Sequence, residues 1–316
     1  MPACAYITHP SSLLHEMGPG HPESPQRVRA IEQTLERVGL LARMTHYQAP
    51  AASDAQLQRV HAAAHLRVMG DKSPAIGYRA FDADTVMNPH TATAARHAAG
   101  AVVLAVDLVM RGEDGDDKRG AMQRAFCNVR PPGHHAEPAR AMGFCFFNNV
   151  AVGAAHALAE HSLERVAVID FDVHHGNGTE AMFADQPRVL MVSTFQSPLY
   201  PYSGERPLGD NMVNVPLPAG ANGTHLRNAV QDVWLPALEQ FAPQLLFISA
   251  GFDAHRADPL ANLNWVEADY FWLTRQLVAV ANQHCGGRIV STLEGGYALN
   301  ALAASAAAHV RALLED

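Results

Sequence analysis

Short apolar runs closed by turn-forming residues recur along the 316-residue chain. Residues 3–7, 125–129, 166–169, 189–192, 245–248 and 289–292 read as buried strands, too short for helices and rich in β-branched or aromatic side chains. Ala- and Leu-rich segments with helical spacing lie between them, at 24–38, 91–111, 148–161, 223–240, 267–284 and 300–314. This alternation predicts an α/β fold in three layers, with helices covering both faces of a central, mostly parallel sheet. No Gly/Ser/Pro-rich linker or charge block divides the pattern, so residues 1–316 are expected to form one catalytic domain.

The strand endings carry the chemistry. The run at 125–129 leads into Arg130-Pro131-Pro132-Gly133-His134-His135, and that at 166–169 into Asp170-Phe171-Asp172-Val173-His174-His175-Gly176-Asn177-Gly178. The run at 245–248 leads into Ser249-Ala250-Gly251-Phe252-Asp253-Ala254-His255, and that at 289–292 into Leu293-Glu294-Gly295-Gly296-Tyr297. Open α/β sheets bind ligands beyond the carboxyl ends of their strands. Four strands here deliver His, Asp, Gly and Tyr to that edge.

Asp172 and His174 stand two apart in an extended segment, which turns both side chains to one face. With Asp253 they make a three-ligand set that leaves a position open for water and a substrate carbonyl, as catalytic zinc sites do. A mixed oxygen and nitrogen set also accepts Fe²⁺ or Mn²⁺. Amide hydrolysis further needs a base for the attacking water and an acid for the departing amine. The adjacent imidazoles of His134 and His135 can serve as both near neutral pH. Asp170 and Asn177 flank the ligands and are placed to orient those rings. Tyr297, on a Gly-Gly turn, can donate its hydroxyl to the oxyanion. His61 and His65 have the i, i+4 spacing of a helical zinc pair. Ala62 stands where the metalloprotease motif requires Glu, so no metal is expected there. His255 is expected outside the site, and the remaining histidines, His156 and His161 among them, as ordinary ones.

Composition removes several classes. A net charge of −8 gives no basic footprint, so no nucleic-acid partner is expected, while an acidic surface would help recruit a lysine-rich protein tail. The four cysteines are scattered without a C-x-x-C pair, which argues against disulfides and thiolate zinc. The opening residues lack a charged segment followed by an apolar one, and no uncharged run of about 18 apolar residues occurs. A cytoplasmic location without a membrane partner is the expectation. Nothing in the pattern reads out an oligomeric state.

The residues resemble the histone deacetylase superfamily, in particular its class II-like and bacterial amidohydrolase branch with the arginase/deacetylase-like fold. The resemblance is carried by His21-Pro22-Glu23-Ser24-Pro25-Gln26-Arg27, Arg130 to Ala136, Gly143-Phe144-Cys145-Phe146-Phe147-Asn148-Asn149, Asp170 to Thr179, Ser249 to His255 and Glu294 to Tyr297. It implies one zinc per chain at Asp172, His174 and Asp253, with Asp170 bonded to His134. It also implies His135 as general base and later proton donor, with His134 mainly electrostatic. A structural potassium ion is implied around Asp170, with Asp172, His174, Ser193 and Thr194 as the matching positions. Gly143 and Phe144 should line an apolar tunnel for the substrate's methylene stem, and Asp84 falls at its rim. The implied substrate is an acylated lysine peptide or a small acylated amine.

Two departures bear on this reading. Asn177 stands where some branches carry Asp, and a neutral amide raises the pKa of His135 less than a carboxylate would. Leu260 stands where polyamine deacetylases carry an acidic gatekeeper, which favours acyl-lysine over an acetylpolyamine. A two-metal ureohydrolase would need a second Asp at position 176, which is Gly. An inert acyl-lysine reader would have no use for the complete set of His134, His135, three ligands and Tyr297.

Overall fold

The computed structural model describes residues 3–111 and 122–315. Its strands are β1 (Cys4–Thr8), β2 (Thr45–Gln48), β3 (Arg79–Ala80), β4 (Val86–Met87), β5 (Arg124–Cys127), β6 (Val166–Asp170), β7 (Val189–Gln196), β8 (Met212–Leu217), β9 (Leu245–Ala250) and β10 (Ile289–Leu293). Its α-helices are α1 (Gln26–Arg37), α2 (Asp54–Leu57), α3 (Ala63–Asp71), α4 (Thr91–Met110), α5 (Asn149–Glu160), α6 (Asn177–Phe183), α7 (Gly223–Ala229), α8 (Leu235–Phe241), α9 (Glu267–His284) and α10 (Leu299–Leu313). Eight strands form one sheet in the order β2-β1-β5-β10-β9-β6-β7-β8, and every neighbouring pair in it is parallel. β3 and β4 make a separate antiparallel pair.

The alternation of side chains along each strand sorts the core into two layers. Tyr6, Phe126, Ile169 and Ile248 pack with Ile31 of α1, Leu277 of α9 and Val310 of α10. Their chain neighbours Ile7, Cys127, Val168 and Phe247 face the other way, onto Val102 of α4 and Val150 of α5. Each large side chain so buried contributes roughly 1.5–3 kcal/mol. The three-layer α/β/α expectation is met. α4 is long and apolar enough by composition to cross a membrane, but 67% of its apolar stretch is buried inside the protein as core helix.

The short β3–β4 pair escaped the apolar pattern, as did two strands of the main sheet, and both of these are its edges. β2 reads THYQ and buries only Tyr47, while β8 reads MVNVPL and includes Pro216, a residue that only an edge strand tolerates. The helix expected over 223–240 is also corrected. It is broken into α7 and α8 by a π-helical turn at Val230–Trp234, followed by Pro236 in the first turn of α8. Proline has no N–H for the helical ladder, and the wider turn absorbs the fault.

The chemistry-bearing segments leave β5, β10, β9 and β6, which are four contiguous strands in the middle of the sheet. Because all run parallel, their carboxyl ends open on one edge.

Candidate active site

Asp172, His174 and Asp253 offer donor atoms that all lie within 4.8 Å of one another. His174 Nδ1 is 3.0 Å from Asp172 Oδ1 and 3.2 Å from Asp253 Oδ2. Backbone donors hold the carboxylates from behind. Gly295 N–H donates to Asp172 Oδ2 at 2.8 Å, His174 N–H to Asp172 Oδ1 at 2.8 Å and Val173 N–H to Asp253 Oδ1 at 3.0 Å. Asp253 Oδ2 is buried and makes no well-aligned hydrogen bond, with His174 Nδ1 beside it at 3.2 Å. Buried acceptors are normally satisfied, and buried carboxylates are paired or coordinate a metal. One unused lone pair beside two carboxylates and an imidazole is therefore the donor set that a divalent cation fits. The close approach of the Gly-Gly turn is part of the cage: a Cβ on Gly295 would stand 2.0 Å from Asp253 Oδ2.

The two neighbouring imidazoles sit in different fields. His134 Nδ1 lies 3.0 Å from Asp170 Oδ2, and its Nε2 lies 3.8 Å from Asp172 Oδ1. Burial pulls the pKa of His134 down, but the Asp170 and Asp172 carboxylates outweigh it and push it up to about 10. His135 Nδ1 lies 2.8 Å from Asn177 Oδ1, a neutral partner. Burial, then the charge of His134 and His174, holds His135 well below the ordinary histidine value. One ring is thus biased toward the charged form and the other toward the free base. Gly143 carries φ +56° and approaches the second ring closely, since a Cβ there would stand 2.5 Å from His135 Cδ2.

The Tyr297 turn is pinned by groups that the sequence named only as part of the motif, or not at all. Asp258 Oδ2 accepts from Tyr297 N–H at 2.7 Å and Ala298 N–H at 3.3 Å, while its Oδ1 accepts from Leu260 N–H at 3.0 Å. Arg27 donates to the carbonyls of Gly296 (2.7 Å) and Glu294, and its guanidinium stacks 4.8 Å from the Tyr297 ring centre. Glu294 Oε2 accepts from Gly133 N–H at 2.6 Å and His134 N–H at 3.1 Å, tying the imidazole loop to the tyrosine turn. Sequence spacing could suggest that Arg27 and Glu294 matter, but the acceptor role of Asp258 depends on a fold-back that no spacing encodes.

Access to the three ligands runs through a cavity of about 220 Å³ lined by Asp84, His135, Gly143, Phe144, His174, Leu199, Tyr200, Leu260 and Tyr297. Phe144 meets Tyr297 edge-on at 5.8 Å, and Tyr200 meets His135 edge-on at 5.3 Å. Every tunnel and rim residue expected from the sequence lies in this lining. Tyr200 and Leu199 were missed; they sit in the irregular connection after β7, where no periodicity marks them.

Of the positions matched to potassium, Asp172 and His174 belong to the ligand cluster itself, and Asp170 bonds His134. Asp170 pairs with Ser193 across β6 and β7; Ser193 Oγ donates to Asn214 Oδ1 at 3.1 Å, and Thr194 Oγ1 is buried without a partner. The histidine decoys fall elsewhere. His61 precedes α3 rather than sharing a helix with His65, which corrects the helical pair. The rings stack at 4.9 Å, and each has its own backbone partner, Asn148 N–H for His61 and the Phe146 carbonyl for His65. His255 Nδ1 accepts from Ala257 N–H at 3.1 Å and takes no part in the cavity lining.

Comparison with known proteins adds an independent line. The family model of the histone deacetylase domain matches residues 21–313. The chain is 41% identical over 285 residues to the histone deacetylase-like amidohydrolase of Pseudomonas aeruginosa, covering 88% of this chain and 73% of that protein. A probable deacetylase of Archaeoglobus fulgidus is 35% identical, with 93% of this chain and 81% of its own length covered. The crystal structure of the HDA15 HD domain matches with a TM-score of 0.91 at 35% identity, covering 99% of this chain and 90% of that one.

Proposed function

This chain belongs to the histone deacetylase family, and from that premise we propose that it is a zinc-dependent amidohydrolase that removes an acyl group, acetyl first, from a lysine side chain or a related amine. The observation that carries the reading is the surplus of buried acceptors, two carboxylates around the single imidazole of His174 with Asp253 Oδ2 in no well-aligned hydrogen bond, at a tunnel that also holds an imidazole and a phenol. Asp172, His174 and Asp253 would hold one zinc ion. When bound, zinc supplies Lewis acidity toward the scissile carbonyl and toward water.

The chain's own groups do the rest. Phe144 and Tyr200 grip the methylene stem and keep bulk water from the reacting amide. Asp84 at the mouth accepts a hydrogen bond from the substrate backbone, and the apolar Leu260 favours a neutral stem over a cationic polyamine. His135, its Nδ1 committed to Asn177, takes a proton from the attacking water at Nε2 and later hands it to the departing amine. His134, charged and held by Asp170, stabilises the negative charge that develops. Tyr297 donates its hydroxyl to the carbonyl oxygen as that charge grows. A structural potassium ion at Asp170, Asp172, His174, Ser193 and Thr194 belongs to the same reading, supported by the buried, partnerless Thr194 hydroxyl.

The test is hydrolysis by the zinc-loaded protein of an acetyl-lysine peptide, an acetylpolyamine and a guanidino substrate. The acetyl-lysine peptide is expected to turn over fastest, and Tyr297→Phe is expected to cut kcat about 10²–10³-fold with KM little changed. Preference for the acetylpolyamine would replace the substrate class, and guanidino hydrolysis would replace the reaction. Binding of the acetyl-lysine peptide without turnover would make the protein a reader.

A further inference from the structure

We propose that Glu137 sets the tautomer of His135, acting through Asn177, and is thereby a positioning residue for hydrolysis. This rests on the reading of His135 as the proton acceptor and identifies what decides which of its nitrogens accepts.

Asn177 opens α6 and is buried. Its side chain bridges three groups. Oδ1 lies 2.8 Å from His135 Nδ1, while Nδ2 lies 2.9 Å from Glu137 Oε1 and 3.5 Å from Met142 Sδ. The two ends of a carboxamide are nearly the same shape, so contact with an imidazole nitrogen cannot by itself say which end faces the ring. The other two contacts can. A carboxylate and a thioether offer only lone pairs, so the NH₂ end must turn toward Glu137 and Met142. Oδ1 is then left for His135, and an acceptor facing Nδ1 requires that Nδ1 carry the hydrogen. Nε2, the other ring nitrogen, keeps its lone pair.

Without an acceptor at position 137, only the weakly accepting Met142 thioether at 3.5 Å holds that end, and the amide can turn over. Its NH₂ would then face Nδ1 and favour the opposite tautomer, with Nε2 already protonated and unable to take a proton from water. Asn177 alone is thus ambivalent, and the anion one bond further out removes the ambiguity. Glu137 is held for this task by a tight turn. Its N–H donates to the Arg140 carbonyl at 2.9 Å, and its own carbonyl lies 3.2 Å from His61 Nδ1. The half-buried carboxylate also lines a second cavity of about 720 Å³, separate from the substrate tunnel and shared with Arg140 and Glu180. Glu137 therefore reaches Asn177 from outside the substrate path and touches neither ligands nor substrate.

Three variants test this in the zinc-loaded protein. Glu137→Gln still presents an acceptor oxygen, Glu137→Leu removes the acceptor at a similar size, and Glu137→Lys presents donors. Long-range ¹H–¹⁵N spectra of the histidine rings, with His135 assigned by its own substitution, read the tautomer directly. The Nδ1–H form is expected in the parent and in Glu137→Gln, with the Nε2–H form appearing in Glu137→Leu and dominating in Glu137→Lys. On the acetyl-lysine peptide, kcat is expected to fall about 10–100-fold in Glu137→Leu at nearly unchanged KM, with Glu137→Gln close to the parent. Zinc content and melting temperature serve as controls on folding. An Nδ1–H ring in all three variants would overturn the inference whatever the turnover. A parent that hydrolyses no acyl amine would overturn the function on which it stands, and the ring spectra tell the two failures apart.

Discussion

Two clusters in this molecule look alike to a distance criterion. Asp172, His174 and Asp253 at the sheet edge, and Asp107, His156 and His161 between α4 and the end of α5, each bring three donor atoms within 4.8 Å. Their chemistry differs. In the second cluster both imidazoles lie 2.8 Å from the same oxygen, Asp107 Oδ1. Arg59 lies 2.8 Å from His156 Nδ1, and a guanidinium only donates, so that ring must carry its hydrogen on Nε2 and give it to Asp107. One carboxylate is thus answered by an imidazole N–H with a cation nearby, and a metal would have to strip that proton and face the guanidinium. In the first cluster two carboxylates face one imidazole, and Asp253 Oδ2 makes no well-aligned hydrogen bond. Exposure differs too, with Asp107 38% exposed and Asp253 fully buried. Proximity of ligands does not make a metal site. Surplus buried acceptors do.

The most direct challenge to this contrast is to remove one carboxylate from each cluster and count the metal. The parent is expected to bind about one zinc per chain. Asp253→Ala should lose both the ion and deacylation, whereas Asp107→Ala should keep both. Metal analysis of protein dialysed against zinc-buffered solution is the measurement. Two ions in the parent, or loss of the ion in Asp107→Ala, would mean that the outer cluster binds metal after all.

The same contrast shows what the sequence could reveal. Asp172 and His174 read as an i, i+2 pair in an extended segment, but β6 ends at Asp170 and both lie in the bend beyond it, where His174 N–H bonds Asp172 Oδ1 and the two still converge. The parallel sheet was legible because its central strands are mostly apolar, and Asp253 could be added since it follows another strand on the same edge. The Asp107 cluster was not legible, because its members come from two helices whose packing no local pattern specifies; His156 and His161 read as ordinary residues. β2 and β8 were lost for a related reason. Edge strands are half solvated, so their pattern fades. Asp258 and Glu137 act through fold-backs, from a turn 39 residues before Tyr297 and one 40 residues before Asn177, and only coordinates join them to the residues they serve.

An intermediate effect is expected from the clamp around the inner cluster. Asp258 receives three backbone N–H groups from the tyrosine turn and the tunnel rim, and Asp258→Asn would aim an NH₂ at some of those donors. Turnover is expected to fall about 10–100-fold while zinc content stays at the parent level. The outer cluster has no counterpart to lose. Full activity in Asp258→Asn would show that the Tyr297 turn holds its position without this carboxylate, and loss of zinc would show that the clamp belongs to the metal cage itself.

The mildest change belongs to the outer cluster and concerns stability alone. Burial tends to raise the pKa of Asp107, but its bonds to His156 and His161 outweigh that and hold it below the ordinary value of 3.8. A carboxyl whose folded pKa is depressed stabilises the fold above its unfolded pKa, and that contribution fades as pH falls through the folded one. Asp107→Asn should therefore lose about 1 kcal/mol or less at pH 7, discounted for solvent screening at this exposed position. The gap should persist down to the carboxylate range and close only below it, whereas a gap that stays the same through that range would show that the Asp107 charge is not what stabilises the fold. Urea unfolding of parent and variant across that range makes the measurement. A loss several times larger would show that the outer cluster holds α4 to α5 as a buried ion pair does, and the distinction between the two clusters would need a different basis.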